Sequence, residues 1–218
     1  MERFSSISMA VVRRLPKYYR YLGELMKKDI RRVSSQELSK ITGFTASQIR
    51  QDLNCFGGFG QQGYGYNVDE LHQEIGEILG LNNIYKTVII GAGNLGQAIA
   101  NYSFFGKSGF IPQGIFDINP KIIGLKINEI EVFDVEYLEG FIKENAIDIG
   151  IICTPKSQCQ KVADALALGG IKAIWNFAPL DIKVPDSIIV ENVHLSESLF
   201  TISYLLKEKK EITESKKY

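Results

Sequence analysis

The stretch VIIGAGNLGQAIANY, residues 88–102, constrains the fold of this chain more than any other. Gly91, Gly93 and Gly96 form a G-x-G-x-x-G turn directly behind the apolar run TVII and ahead of a helix-like segment. A buried strand ending in such a turn aims backbone N–H groups and a helix N-terminus at a pyrophosphate, the opening of a dinucleotide-binding unit. Behind it, apolar patterning predicts strands at 87–90, 111–116, 130–133, 147–153, 173–177 and 188–190, with helices at 95–104, 135–145 and 158–168. That alternation specifies an α/β class domain, a parallel sheet wrapped by helices. TVIIG and DIGIIC lack polar alternation, as strands buried on both faces should. Asp117 stands 21 residues after Gly96, at the end of the strand GIFD. A carboxylate there accepts the adenosine ribose hydroxyls and repels a 2′-phosphate, so the expected cofactor is NAD or NADH, not the phosphorylated form. The segments CTPKS and NFAP follow later strands, at the ends where ligands bind in such sheets.

About eighty residues precede the glycine turn, and their chemistry differs. The net charge is zero, yet residues 1–50 carry 11 Lys/Arg against 4 Asp/Glu, while the remainder carries 14 against 21. Such asymmetry predicts that the first segment meets an anion. In LPKYYRYLGELM, Leu15, Tyr18, Tyr19, Leu22, Leu25 and Met26 recur at helical spacing, with Pro16 suited to a first turn. Ser34-x-x-Glu37 is a capping box whose short helix ends at Gly43, and Thr45-x-x-Gln48 opens a second helix to about Phe56. Two short helices joined by TGFT match a helix-turn-helix. The second would expose Ser47, Gln48, Arg50, Gln51 and Asn54 and turn Ile49, Leu53 and Phe56 inward. Gln, Asn, Ser and Arg are side chains that hydrogen-bond base edges in the major groove. The glycine-rich stretch GGFGQQGYGYNV that follows predicts a tight hairpin, the wing of a winged helix, and a helix at 69–79 closes the domain. The expected organisation is a winged helix-turn-helix domain at 1–80, a linker, a Rossmann-type domain at 86–193, and a C-terminal helix and tail at 194–218.

Catalytic chemistry is hard to place. Tyr102 has no lysine four residues on, since Gly106 stands there, and His72 and His194 form no relay with a carboxylate. About a hundred residues after the turn leave little room for a substrate domain. A nucleotide site without an acid–base group fits a sensor better than a catalyst. Cys55, Cys153 and Cys159 form no C-x-x-C pair, and with two histidines no metal-ligand spacing arises, so free thiols in a cytoplasm and no metal are expected. No apolar run reaches membrane-span length, and MERFSS lacks a signal-peptide core.

With both halves read, the chain resembles the Rex family of bacterial redox-sensing transcriptional repressors. The resemblance rests on RRLPKYYRYL, SSQELSKITGFTASQIRQDLNCFGGFGQQGYGY, VIIGAGNLGQAIANY, FDINPKIIG, GIKAIWNFAP and VENVHLSESL. It implies a homodimer with N-terminal winged helices and a C-terminal helix swapped onto the partner. Palindromic operator DNA would be released when NADH accumulates relative to NAD⁺. It places Gly91, Ala92, Gly93, Asn94, Leu95, Gly96, Asp117 and Ile118 on the cofactor, with Tyr102 and Phe105 near the nicotinamide. Cys153, Thr154 and Pro155, and Asn176, Phe177, Ala178 and Pro179, would line the same site. Arg14, Ser47, Gln48, Arg50, Gln51 and Gln61 would meet DNA. Many members link an arginine, a tyrosine and an aspartate as a switch; Arg20 and Tyr102 match the first two, whereas His194 stands at the aspartate position. Gln51, Gln61 and Gln62 occupy places where members often carry Lys or Arg. The competing reading is a small NAD- or CoA-binding enzyme subunit whose N-terminal helices serve assembly only.

Overall fold

The computed structural model describes residues 7–61, 64–102, 106 and 108–215. The chain divides into two compact units, Met1–Asn83 and Ile84–Tyr218.

In the first unit, helices α1 (Met9–Val12) and α2 (Leu15–Lys27) precede a two-residue strand β1 (Arg32–Val33). Helix α3 (Ser35–Thr42) starts at the expected capping box. Glu37 N–H donates to Ser34 Oγ at 3.1 Å, and Ser34 N–H donates to the Glu37 carboxylate at 2.7 Å. Gly43 ends this helix in the left-handed region at φ 75°, which L residues other than glycine avoid. Helix α4 (Ala46–Asn54) is capped by Thr45, whose hydroxyl accepts from Gln48 N–H at 3.1 Å. Strands β2 (Gly60–Gln61) and β3 (Gly65–Asn67) make the hairpin, and β3 also pairs with β1, giving an antiparallel sheet in the order β1-β3-β2. Gly65 is required there: its φ is +72°, and a Cβ would lie 2.7 Å from the Val33 carbonyl oxygen. Helix α5 (Val68–Ile78) closes the unit.

Its core is the apolar side of these helices, with Leu15, Tyr18, Leu22, Leu38, Ile49, Leu53, Leu71 and Ile75 all at most 2% exposed. Beside that core, Tyr19 of α2 and His72 of α5 stack at 4.0 Å between ring centroids and 21° between planes. Gly23 and Gly76 permit this contact. A Cβ on the first would come within 3.3 Å of the imidazole, and one on the second within 3.1 Å of the Tyr19 ring.

The second unit is built on seven strands in the order β10-β9-β8-β4-β5-β7-β6. These are β4 (Tyr85–Ile90), β5 (Phe110–Asp117), β6 (Lys126–Ile127), β7 (Ile130–Asp134), β8 (Ile149–Ile152), β9 (Ala173–Asn176) and β10 (Ile189–Asn192). All pairs are parallel except β6 with β7. Crossovers run through α6 (Asn94–Ala100), α7 (Leu138–Asn145) and α8 (Lys156–Gly169), and α9 (Leu195–Ser215) follows the last strand. Omitting the short β6, the order is that of a doubly wound dinucleotide fold, with its reversal between β4 and β8. The helix expected at 95–104 ends at Ala100, and Phe104 lies outside the described residues. The β6–β7 hairpin was not expected. Its two turn residues, Asn128 and Glu129, take φ 48° and 65° without a glycine to announce them.

The two sheet faces differ. Val88, Ile90, Phe116 and Ile152 pack beneath Leu138 and Ile142 of α7 and Val162 and Leu166 of α8. On the opposite face, Ile89 and Ile115 pack with Ile99 and Ala100 of α6. No described helix covers that face over β8, β9 and β10, because the connection 177–188 has none. Ile149, Ile151, Ala173, Trp175 and Ile189 there line an apolar cleft of about 340 Å³, together with Thr87, whose buried hydroxyl has no hydrogen-bond partner among the described residues. Helix α9 lies open to solvent: all of its residues with described exposure are exposed, including Leu199 at 64%, Phe200 at 69%, Ile202 at 51% and Leu206 at 64%.

Burial lowers the pKa of His72 below the ordinary 6.5, with Asp69 pulling weakly the other way. Below pH 6.5 the unfolded chain then takes up more protons than the folded one. Stability present above that pH is lost as pH falls through the depressed folded-state value. Urea unfolding of the full chain, followed by circular dichroism, should lose midpoint over this interval, and His72→Gln should lose less. An equal loss in the variant would assign the dependence to another group.

Candidate functional site

At the β4–α6 turn three glycines do three different things. Gly91 takes φ +102°, and a Cβ on it would sit 2.7 Å from the Cys153 carbonyl oxygen. A Cβ on Gly96 would collide with the carbonyl oxygen of Gly91, so its absence lets α6 close onto β4. A Cβ on Gly93 would meet nothing within 4 Å. That open side, at an N-cap where no side chain bonds the first turn of α6, is where a phosphate group can approach the backbone. Asp117, at the end of β5, accepts the Ala92 N–H at 2.7 Å through Oδ2 and the Asn119 N–H at 2.9 Å through Oδ1. The carboxylate thus steadies the glycine turn while each oxygen keeps further acceptor capacity. Ile118 beside it is 74% exposed.

Across the strand reversal lie Cys153, Thr154 and Pro155, at the end of β8. The Thr154 hydroxyl is buried with no hydrogen-bond partner among the described residues. An orphaned buried hydroxyl beside an open glycine turn suits a site completed by a polar ligand. Desolvation pushes the Cys153 thiol up to about 12, so it stays protonated and unreactive at physiological pH.

The NFAP segment divides. Asn176 is fully buried. Its amide nitrogen donates to Leu180 O at 2.7 Å and Asn192 Oδ1 at 2.8 Å, while its Oδ1 accepts from Ala178 N–H at 3.0 Å. Ala178 is 2% exposed. Both were expected to face a ligand. In the structure the Asn176 side chain frames the loop, its amide spent on neighbouring groups of the chain. Phe177 and Pro179 retain some exposure. Tyr102, two residues past α6, is 57% exposed, and Phe105 lies outside the described residues.

In the first unit, α4 exposes Ser47, Arg50, Gln51 and Asn54 and half-buries Gln48. Arg50 Nη1 donates to Ser35 Oγ at 2.9 Å. The side chain of Gln61, in β2, falls outside the described residues. Arg14 departs from expectation. Its Nε and Nη2 donate to Asp52 Oδ2 and Oδ1 at 2.6 and 2.7 Å, and its side chain is 20% exposed. Asp52 is itself 1% exposed and also accepts from Tyr18 Oη at 2.7 Å and Gln48 Nε2 at 3.0 Å. Arg14 therefore clamps α2 to α4 through Asp52. One signal for this was present in the sequence: Asp52 shares the inward stripe of Ile49 and Leu53, where a carboxylate requires a partner.

Two family models match the chain: the one described as "CoA binding domain" over residues 82–180, and "Putative DNA-binding protein N-terminus" over 6–54. The redox-sensing transcriptional repressor Rex of Thermoanaerobacter pseudethanolicus is 64% identical over 208 residues, 95% of this chain and 93% of that protein. Rex of Clostridium botulinum is 63% identical over 206 residues, 94% and 98% respectively. The crystal structure of RSP in complex with β-NAD⁺ and operator DNA is 64% identical, with a TM-score of 0.89 over 97% of this chain and 98% of that one. The chain belongs to the Rex family.

RSP has also been solved with β-NADH, at 61% identity and a TM-score of 0.89 over 96% of this chain and 99% of that one. The structure gives the histidine at 194 a carboxylate: His194 Nε2 lies 3.0 Å from Asp181 Oδ1. Arg20 is exposed on α2, with its guanidinium 4.9 Å from the Tyr21 ring. Among the described residues no group of three His, Cys, Asp or Glu side chains could hold a metal, and no helix is long and apolar enough to cross a membrane.

Arg14→Ala leaves the buried Asp52 carboxylate without its cation, which should destabilise the N-terminal unit by about 3 kcal/mol. Thermal melting should record that loss whether or not DNA is present. An unchanged melting temperature with weakened DNA binding would return Arg14 to a direct contact.

Proposed function

We infer that this chain is a redox-sensing transcriptional repressor that binds palindromic operator DNA as a homodimer and is released when NADH binds. It is a DNA-binding regulator, not an enzyme. The observation that carries this reading is the presence, on one Rex-family chain, of a winged helix-turn-helix unit and a glycine turn that fits a dinucleotide. RSP, so similar in sequence and fold, has been crystallised with β-NAD⁺ and operator DNA and with β-NADH. Residues 1–80 act as the DNA-binding domain, with Ser47, Gln48, Arg50, Gln51 and Gln61 directed to the duplex. Residues 86–193 hold NAD or NADH through Gly91–Gly96, Asp117, Ile118, Thr154 and their neighbours. A repressor of this kind works in the cytoplasm, where its operator lies.

A mismatch within the second unit supports the dimer. The sheet lacks a helix over β8–β10, and α9 has no surface to pack on. Leu195, Leu199, Ile202 and Leu206 recur at spacings of four, three and four, one continuous stripe, while Phe200 and Tyr204 lie on the other side. A helix apolar on two sides must be enclosed, and exchange of α9 between two copies encloses it. Residues 194–218 are then the swapped segment. Ile202→Glu should convert the dimer to a monomer by sedimentation; a variant that stays dimeric at micromolar concentration would rule the exchange out.

The switch must act through the nicotinamide, which is cationic when oxidised and neutral when reduced. Gly91–Gly96 and Asp117 face parts common to both forms and cannot distinguish them. An aromatic surface built from Tyr102 and Phe105 disfavours an uncompensated cation and admits the neutral ring. Arg20, Tyr102 and His194 would carry the difference to the DNA-binding domains, whose spacing must fit two half-sites one helical turn or a multiple apart. By linkage, operator duplex must weaken NADH binding by the same factor that NADH weakens operator binding. Calorimetric titration of NADH with and without operator tests this. Equal affinities would end the sensor reading. Arg20→Ala should keep both ligands and lose much of their coupling.

A further inference from the structure

Gln48 is the third residue of α4, in the first turn of the recognition helix. Its orientation is set from beneath. Nε2 donates to Asp52 Oδ1 at 3.0 Å, one turn further along the same helix. The carboxylate that receives it is held by Arg14 and Tyr18 at 2.6–2.7 Å. Burial would raise its pKa, but hydrogen bonds from Arg14, Tyr18 and Gln48 outweigh that and hold it below the ordinary value. An ionised carboxylate accepts and never donates. The NH₂ end of the Gln48 amide must therefore face Asp52, and rotation by half a turn would set two oxygens against each other. The amide is planar, and when the N–H trans to Oε1 is the one given to Asp52, the other lies on the same edge as Oε1. That edge offers one acceptor and one donor side by side.

The four bases respond differently to such an edge in the major groove. Adenine presents the N6 amino donor beside the N7 acceptor and matches both groups. Guanine presents two acceptors, O6 and N7, and would set O6 against Oε1. Cytosine offers only its amino donor, and thymine an acceptor with a methyl group. First-turn residues of a recognition helix are the ones that reach base edges. We propose that Gln48, with its amide fixed by Asp52, reads an adenine in each operator half-site. This deepens the repressor reading and rests on it. Asp52 is a positioning residue in this scheme and touches no base.

The test is selection of duplexes from a random-sequence pool by the full-length protein with NAD⁺, repeated with Gln48→Ala. The wild-type consensus should contain in each half-site one A·T pair that becomes degenerate in Gln48→Ala, the other positions being retained. Affinity of the variant for the wild-type consensus should fall about tenfold or more. Replacing that adenine by 7-deazaadenine, which removes N7, should weaken binding by the wild type and leave Gln48→Ala unaffected. In Asp52→Asn the amide can rotate, so a folded variant should accept G·C at the same pair; should it fail to fold, the 7-deazaadenine comparison decides alone. An unchanged consensus in Gln48→Ala, or degeneracy at a G·C pair, would overturn the assignment. Selection of no sequence by the wild type would strike the repressor reading itself, and the assignment with it.

Discussion

A parallel sheet needs apolar cover on both faces, and this chain supplies full cover for only one of them. Helices α7 and α8 close one side completely, whereas α6 alone serves the other and leaves β8–β10 bare. Burying a Leu, Ile or Phe side chain is worth about 1.5–3 kcal/mol. Leu199, Phe200, Ile202 and Leu206 of α9 together therefore represent on the order of 10 kcal/mol, comparable to the whole stability of a typical domain. A sum of that size decides the matter against a solitary α9. In the proposed dimer the uncovered face and the uncovered helix would be two halves of one core, closed by exchange of α9 between two copies.

The redox chemistry of such a protein belongs to its ligand. Cys153 lies at the end of β8 beside the glycine turn, where a reactive thiolate could have served as a second sensor. Desolvation removes that option by pushing the thiol up to about 12, and Cys159, fully buried beneath the sheet, is raised by the same cause. Neither supplies thiolate for oxidation. At the nucleotide site itself, what remains is an equilibrium readout that reverses as fast as the nucleotide exchanges, unlike a disulfide that must be reduced.

Much of this was legible because it is local. The capping box at Ser34, the N-cap at Thr45 (whose Gln48 side chain turns to Asp52 instead of completing a box), the terminating Gly43 and the triple-glycine turn are decided within four to six residues, and apolar runs mark strands wherever both faces are covered. Long-range pairing is where the sequence fell silent. Arg14 and Asp52 are 38 residues apart, so nothing near Arg14 distinguished a clamp from a phosphate contact. Asn176 looked like a ligand-facing residue because it ends a strand, but Leu180 and Asn192 claim its amide. The β6–β7 hairpin escaped because Asn128 and Glu129 adopt left-handed geometry without glycine. Part of the reason is tertiary: Asn128 Nδ2 donates to the Ala100 carbonyl at the end of α6, at 2.8 Å.

The size of the switch can be bounded from the same physics. The excess of cations in the first fifty residues draws the protein to any duplex, since phosphate contacts carry affinity without sequence information. Gln51 and Gln61 add no such charge, so selectivity falls to base edges and to simultaneous engagement of two half-sites. Linking two binding events raises affinity by about 10²–10⁴, all of which disappears when geometry forbids the second. In the proposed dimer, release would therefore require no repulsion from DNA, only a change in spacing. By reciprocity the reduced nucleotide must prefer the released arrangement by that same factor, about 3–5 kcal/mol. In the switch proposed above, a neutral ring on an aromatic surface, measured against a cation left there without a counter-charge, would supply a difference of this order. The pyrophosphate and ribose contacts, alike in both forms, contribute none of it.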